Sequence, residues 1–73
     1  MTVRNITFGE IEDAAFVADI DDAIARLQAI AGITDGGVAS VAFSGFDWDG
    51  ASATSRIERI CRWMVSERID EVD

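Results

Sequence analysis

The apolar residues between positions 57 and 72 recur at a helical spacing, and this pattern constrains the fold more than any other stretch of the chain. At about 100° per residue, Ile57, Ile60, Cys61, Met64, Val65 and Val72 fall on one broad face, and Arg59, Arg62, Ser66 and Asp70 fall opposite. A face that wide has to be buried against a second layer. At the start of the stretch, Ser55 and Glu58 have the S-x-x-E spacing of a capping box, in which serine oxygen and glutamate carboxylate each accept an otherwise unpaired backbone N–H. The expectation is a helix over 55–72. It holds four of the six basic residues, Arg56, Arg59, Arg62 and Arg68, and it sets Trp63 at the edge of its apolar face, within a turn of Arg56 and Arg59.

Upstream, residues 2–8 are rich in β-branched and aromatic side chains and end at Gly9, which predicts a short strand with Ile6 and Phe8 on one face. Phe16, Ile20, Ala23, Ile24, Leu27, Ile30 and Ala31 then keep the spacing i, i+4, i+7, i+8, i+11, i+14, i+15. One helix over 13–31 accounts for them, with Asp13 as N-cap. It stops at Gly32, where Ile33 can fold back on Leu27. A rival reading, a strand over 14–18 and a helix starting at Asp21, lacks alternation.

Residues 38–43 read as a strand, Ser44-Gly45 as a two-residue hairpin loop, and pairing across it sets Phe43 opposite Phe46 and Val41 opposite Trp48. Asp47 and Asp49 then point away from the apolar face, and residues 50–54 link to the last helix. The order strand, helix, strand, strand, helix predicts an α+β domain: a two-layer βαββα arrangement, three-stranded sheet with two helices packed on one face.

The 73 residues suffice for one small acidic domain, whose lone core gives only a few kcal/mol unless it self-associates. Fourteen acidic residues against six arginines, with no lysine and no histidine, give a net charge of −8. That balance argues against nucleic acid or an anionic membrane as a direct ligand and favours a basic protein partner. The single cysteine permits no internal disulfide, and no apolar run approaches a membrane span, so the expected compartment is cytoplasmic. Cys61 itself is expected to be a buried small hydrophobe.

No catalytic constellation emerges. Histidine and lysine are absent, the only cysteine falls on a core face, and so short a chain can hardly enclose a pocket of the usual volume; no enzyme activity is expected. Asp47-Trp48-Asp49-Gly50 partly matches a calcium loop. With Gly50 in the glycine position, however, the first ligand would be Gly45 and the closing glutamate Arg56, so no metal is expected. The approach to the last helix lacks the glycine patterns of a phosphate site, and Asp47 and Asp49 would repel the anion, so no cofactor is expected.

What remains is an uneven charge pattern. Glu10, Glu12, Asp13, Asp19, Asp21 and Asp22 lie within thirteen residues that hold no basic side chain. Spaced carboxylates on a rigid face can imitate nucleic-acid phosphates and fill the basic groove of a nucleic-acid-binding protein. The expected function is a non-catalytic protein-binding inhibitor or adaptor with those six residues as its contact. In size and charge alone the chain is similar to the small acidic inhibitors of phages and mobile elements, anti-CRISPR and anti-restriction proteins among them; it carries no motif of such a family. Against this stands the plain alternative that acidic runs are solvated faces which keep a small protein soluble. Arg56, Arg59 and Trp63 are a secondary candidate contact, since tryptophan and arginine are enriched in interface hot spots. They suit the other functional expectation, a self-associating module such as an antitoxin-like or phage-assembly homodimer.

Overall fold

The computed structural model describes residues 5–32 and 42–72. Within them the chain is a small mixed helix-and-strand domain: β1 (Asn5–Thr7), α1 (Phe8–Ala15), α2 (Ile20–Ala31), α3 (Ala53–Glu67) and β2 (Asp70–Val72). β1 and β2 pair in parallel, with Asn5 opposite Asp70, Ile6 opposite Glu71 and Thr7 opposite Val72. The described residues thus form a two-stranded sheet in place of the expected three-stranded one. α1 packs against both α2 and α3, and α2 packs against β1.

The first strand ends one residue sooner than expected, at Thr7. Thr7 Oγ1 accepts the Glu10 N–H at 3.1 Å and the Glu10 carboxylate accepts the Thr7 N–H at 2.9 Å, which is a capping box that starts α1 at Phe8. Asp13, expected as an N-cap, sits inside this helix.

The single helix expected over 13–31 is two helices. α1 stops at Ala15 and α2 restarts at Ile20, with Asp19 as N-cap accepting the Asp21 N–H at 2.9 Å. The cause lies elsewhere in the chain. In a continuous helix the Ala15 and Val17 carbonyls would accept the N–H groups of residues 19 and 21. Here Arg56 donates to Ala15 O at 2.9 Å, and the Trp48 indole N–H donates to Val17 O at 2.9 Å. Phe16, which begins the sequence periodicity, is consequently 71% exposed, whereas Ala23, Leu27 and Ala31 are buried as their spacing requires. α2 ends where expected: Gly32 takes the left-handed conformation, φ 72°, and donates to Ala29 O at 3.3 Å. The Ile33–Leu27 contact lies outside the described residues.

Around residue 44 the turn forms, with Gly45 at φ 75° and Phe46 N–H on Phe43 O at 3.2 Å. The described residues on either side of it, 42–43 and 46–50, are not strand. Ala42 is helical, and Trp48 N–H turns back to Phe46 O at 3.1 Å, so 46–50 coils into successive turns. The Asp47 carboxylate fixes the last of these by accepting the Gly50 N–H at 3.2 Å. Residues 38–41 of the expected strand lie outside the described residues, as does the Val41–Trp48 pair.

α3 begins earlier than the sequence suggests. Ser52 caps it by accepting the Ser55 N–H at 3.2 Å, and Glu58, the expected partner of Ser55, is exposed on the helix body. It also ends earlier. Arg68 adopts the left-handed conformation, φ 59°, while Arg68 N–H reaches Val65 O at 3.2 Å and Ile69 N–H reaches Met64 O at 2.9 Å. That bond pair is a Schellman motif, closed by buried Ile69 and Met64, and it turns residues 70–72 into β2. Val72, assigned by spacing to the helix face, is therefore in a strand.

Ile6, Ile11, Leu27, Ile60 and Trp63 are the largest fully buried side chains, drawn from β1 and all three helices. Each contributes roughly 1.5–3 kcal/mol by leaving water. Phe43 and Trp48 join the same core from the coiled segment, with Phe46 packed at its edge.

Candidate functional site

The charged residues singled out by sequence divide into those the fold uses and those it leaves outside. Glu10 is committed to the α1 capping box, its carboxylate accepting both the Thr7 N–H and the Thr7 hydroxyl at 2.9 Å. Asp19 is committed to the α2 cap through one oxygen. Glu12, Asp13, Asp21 and Asp22 are exposed, and among the described residues none of their carboxylates forms a hydrogen bond or an ion pair. Asp21 and Asp22 occupy the first turn of α2, where negative charge also favours the helix by about 0.3–1 kcal/mol each.

The six acids do not gather into one patch. Glu10 and Asp13 border a shallow groove between α1 and α2, together with Ala14, Arg26, Ala29 and Ile30. Asp19 lies on a different surface. It borders an open cleft of ≈ 490 Å³ between the α1–α2 junction and the coiled segment, lined by Ala18, Asp19, Ile20, Phe46, Asp47, Trp48 and Asp49. Among the described residues, no basic side chain lines that cleft. Sequence spacing could not have joined Asp19 to Asp47 and Asp49; the signal available was Trp48, a large aromatic between two aspartates.

The secondary contact is corrected by its burial. Trp63 is only 1% exposed and belongs to the core, so it offers no surface to a partner. Its indole N–H has no hydrogen-bond partner among the described residues, a loss of about 1–3 kcal/mol that its burial must offset. Neither arginine stacks on it. Arg56 lies 4.5 Å over the Trp48 ring and Arg59 lies 4.8 Å over Phe46. Arg56 donates to three carbonyls, through Nε to Trp48 O at 2.9 Å and through one terminal nitrogen to Ala15 O at 2.9 Å and Val17 O at 3.4 Å. Arg59 donates to Ala42 O at 3.4 Å. The two rings meet edge to face, Phe46 to Trp48 at 6.3 Å, and Phe43 meets Trp48 likewise at 6.4 Å. Arg56 thereby ties α3 to the junction and to the coiled segment, an architectural task that sequence reading assigned to a binding surface.

Cys61 is half-buried, not enclosed as expected, and lies in a shallow groove with Met64, Val65, Ile69, Asp70 and Glu71. Burial pushes its thiol above the ordinary value, and the nearby carboxylates of Glu71 and Glu58 push the same way. It is a poor nucleophile at neutral pH. Among the described residues no three acidic or thiol side chains converge tightly enough to hold a metal ion, and no helix is long and apolar enough to cross a membrane. Comparison of the chain with protein-family models, with curated proteins and with solved structures found no match.

Proposed function

We propose that this protein is a non-catalytic acidic inhibitor or adaptor that docks on a basic, nucleic-acid-binding protein and occupies the place of nucleic-acid phosphates. The observation that carries the reading is that Glu12, Asp13, Asp21 and Asp22 are all solvent-exposed on helical scaffolds and form no ion pair among the described residues, although Arg26 borders the same groove as Asp13. Carboxylates fixed on short helices present charge at set positions, which accelerates encounter with a basic groove and makes the association salt-sensitive. Glu10 and Asp19 add negative charge from two different surfaces, and their caps make them unsuitable targets for testing the reading.

The test replaces Asp13, Asp21 and Asp22 together with arginine and compares capture of basic proteins from host extract at low and high salt. Loss of a salt-sensitive partner with the far-UV circular dichroism unchanged is the expected result. Unchanged capture removes the reading.

A self-associating module is the second reading. The exposed apolar residue that favours it is Val65, 79% exposed on α3, in place of the buried Trp63. Light scattering separates the two: a dimer dissociated by Val65→Glu supports the second reading against the first.

A further inference from the structure

Among the described residues β2 has β1 on one side and no strand on the other, and all three of its residues are exposed. An edge of this kind leaves backbone N–H and C=O groups open to a further strand. Beside it, between β2 and α3, runs a shallow groove of ≈ 190 Å³ lined by Cys61, Met64, Val65, Ile69, Asp70 and Glu71, with no residue of β1. Val65, 79% exposed, gives the groove an uncovered apolar wall. We propose that this edge takes up an extended, basic segment of a partner protein as a third strand, paired to β2 through its backbone and laying an arginine or lysine over the groove. The inference goes beyond the docking reading above and shares with it only the basic character of the partner.

Glu71 selects the occupant. In the parallel register it lies opposite Ile6, so the two side chains stand on one face of the sheet, and on that face Ile6 is completely buried. Glu71 therefore carries a carboxylate at a core-side position of an edge strand, and an inward-facing charge there is a device by which strands repel copies of themselves. A second copy pairing antiparallel about this residue would set Glu71 against Glu71, a destabilising like-charge pair, between chains of net charge −8 each. A cation on the incoming strand turns the same obstacle into an attraction. The thiol of Cys61 reports the field: burial raises its pKa most, and Glu71 and Glu58 raise it further, so both carboxylates bear on the groove. Among the described residues no basic side chain lines it. The apolar stem of an arginine or lysine can lie along Val65 while its charged end reaches these carboxylates. In this mode of recognition the backbone bonds supply affinity and the side chain over the groove supplies specificity.

The probes are short peptides with blocked ends, titrated by calorimetry at low salt into the full chain while the backbone amides are followed by ¹⁵N NMR. One alternates arginine with threonine, one alternates glutamate with threonine, and the third is the arginine peptide N-methylated along its backbone, which keeps the charge but removes the N–H groups a ladder needs. The arginine peptide is expected to shift the amides of residues 70–72 and slow their hydrogen exchange, while those of Asp21 and Asp22 stay. N-methylation is expected to weaken binding at least about tenfold. Glu71→Arg is expected to weaken the arginine peptide about tenfold and to let the glutamate peptide bind in its place. Asp21→Arg makes the same charge change on α2 and is expected to alter binding by no more than about twofold. Equal affinity for the methylated peptide, equal losses in the two variants, unmoved amides at 70–72, or no binding at about 1 mM peptide overturns the strand addition. A dimer of the free chain with those amides already protected names a second copy as the occupant and overturns it as well. If salt-sensitive capture from host extract still depends on Asp13, Asp21 and Asp22 in those cases, the docking reading stands alone; if capture is independent of them while the peptide results hold, the strand addition stands alone.

Discussion

Arg56 and Asp21 show the two uses this chain makes of charge. Arg56 is half-buried, gives its donors to three backbone carbonyls from two separated stretches, and lies over an indole ring. Asp21 is exposed in the first turn of a helix and its side chain bonds to nothing among the described residues. A charged group that has surrendered its hydrogen-bonding capacity to the fold is architecture, whatever its residue type suggests; one that retains all of it is free to meet a partner. The difference moves the arginines out of the candidate contact and leaves the exposed carboxylates in it.

That contrast can be broken most directly at Arg56. Arg56→Ala strands the Ala15 carbonyl and removes the stacking on Trp48, and is expected to destabilise the fold by about 2–4 kcal/mol in urea denaturation. A domain of this length has only about 4–10 kcal/mol in total. Arg62→Ala, on the exposed side of the same helix, should stay within about 0.5 kcal/mol. Comparable effects from the two would mean that the Arg56 contacts contribute nothing.

A smaller effect is expected at Trp48. Trp48→Phe keeps an aromatic ring but loses the N–H on Val17 O, while Arg56 still donates to that carbonyl at 3.4 Å. The expected loss is about 1–2 kcal/mol, and the junction it pins, residues 16–19, should exchange its amide hydrogens faster.

The smallest effect belongs to Cys61 and is read as a rate. A thiol held above its ordinary pKa favours the protonated form in the fold, so its contribution to stability is complete below the unfolded thiol pKa and is lost as pH rises through the folded one. Alkylation by iodoacetamide should therefore reach half its maximal rate at higher pH than in an unstructured cysteine peptide. Glu58→Gln with Glu71→Gln should lower that midpoint only partway, because burial is the larger cause. A midpoint equal to that of the peptide would show that the groove does not shelter the thiol.

These positions also mark what sequence could disclose. The core face of α3, through Ile60 and Met64, and the glycine stop of α2 are local patterns, carried by residues within two turns of one another, and they were legible. The break between α1 and α2 was not, since the groups that capture its carbonyls come from Trp48 and Arg56, more than thirty positions away. The capping box at Thr7 and Glu10 was present in the sequence but masked by the β-branched run before it, as the real serine cap at Ser52 was masked by the better-looking S-x-x-E three residues later. β2 gave no signal at all: all three of its residues are exposed, so no alternation marks it. For the candidate site, the exposed acids of α1 and α2 were legible as charge. The separation of Asp19 from Glu10 and Asp13, and its approach to Asp47 and Asp49, depended on that unforeseen break.

The parallel pairing of β1 with β2 has a consequence in time. Ile6 meets Glu71 across almost the whole described chain, so β1 emerges from the ribosome long before its neighbour exists. Closing so long a loop adds only a slowly growing entropic term to the free energy, but it belongs to the late, slow part of folding. Until then the apolar Ile6 side, buried completely in the finished domain, has only the helices to shelter it. The nascent chain should thus stay sensitive to protease at β1 until residues 70–72 have left the ribosome, and become resistant in a single step.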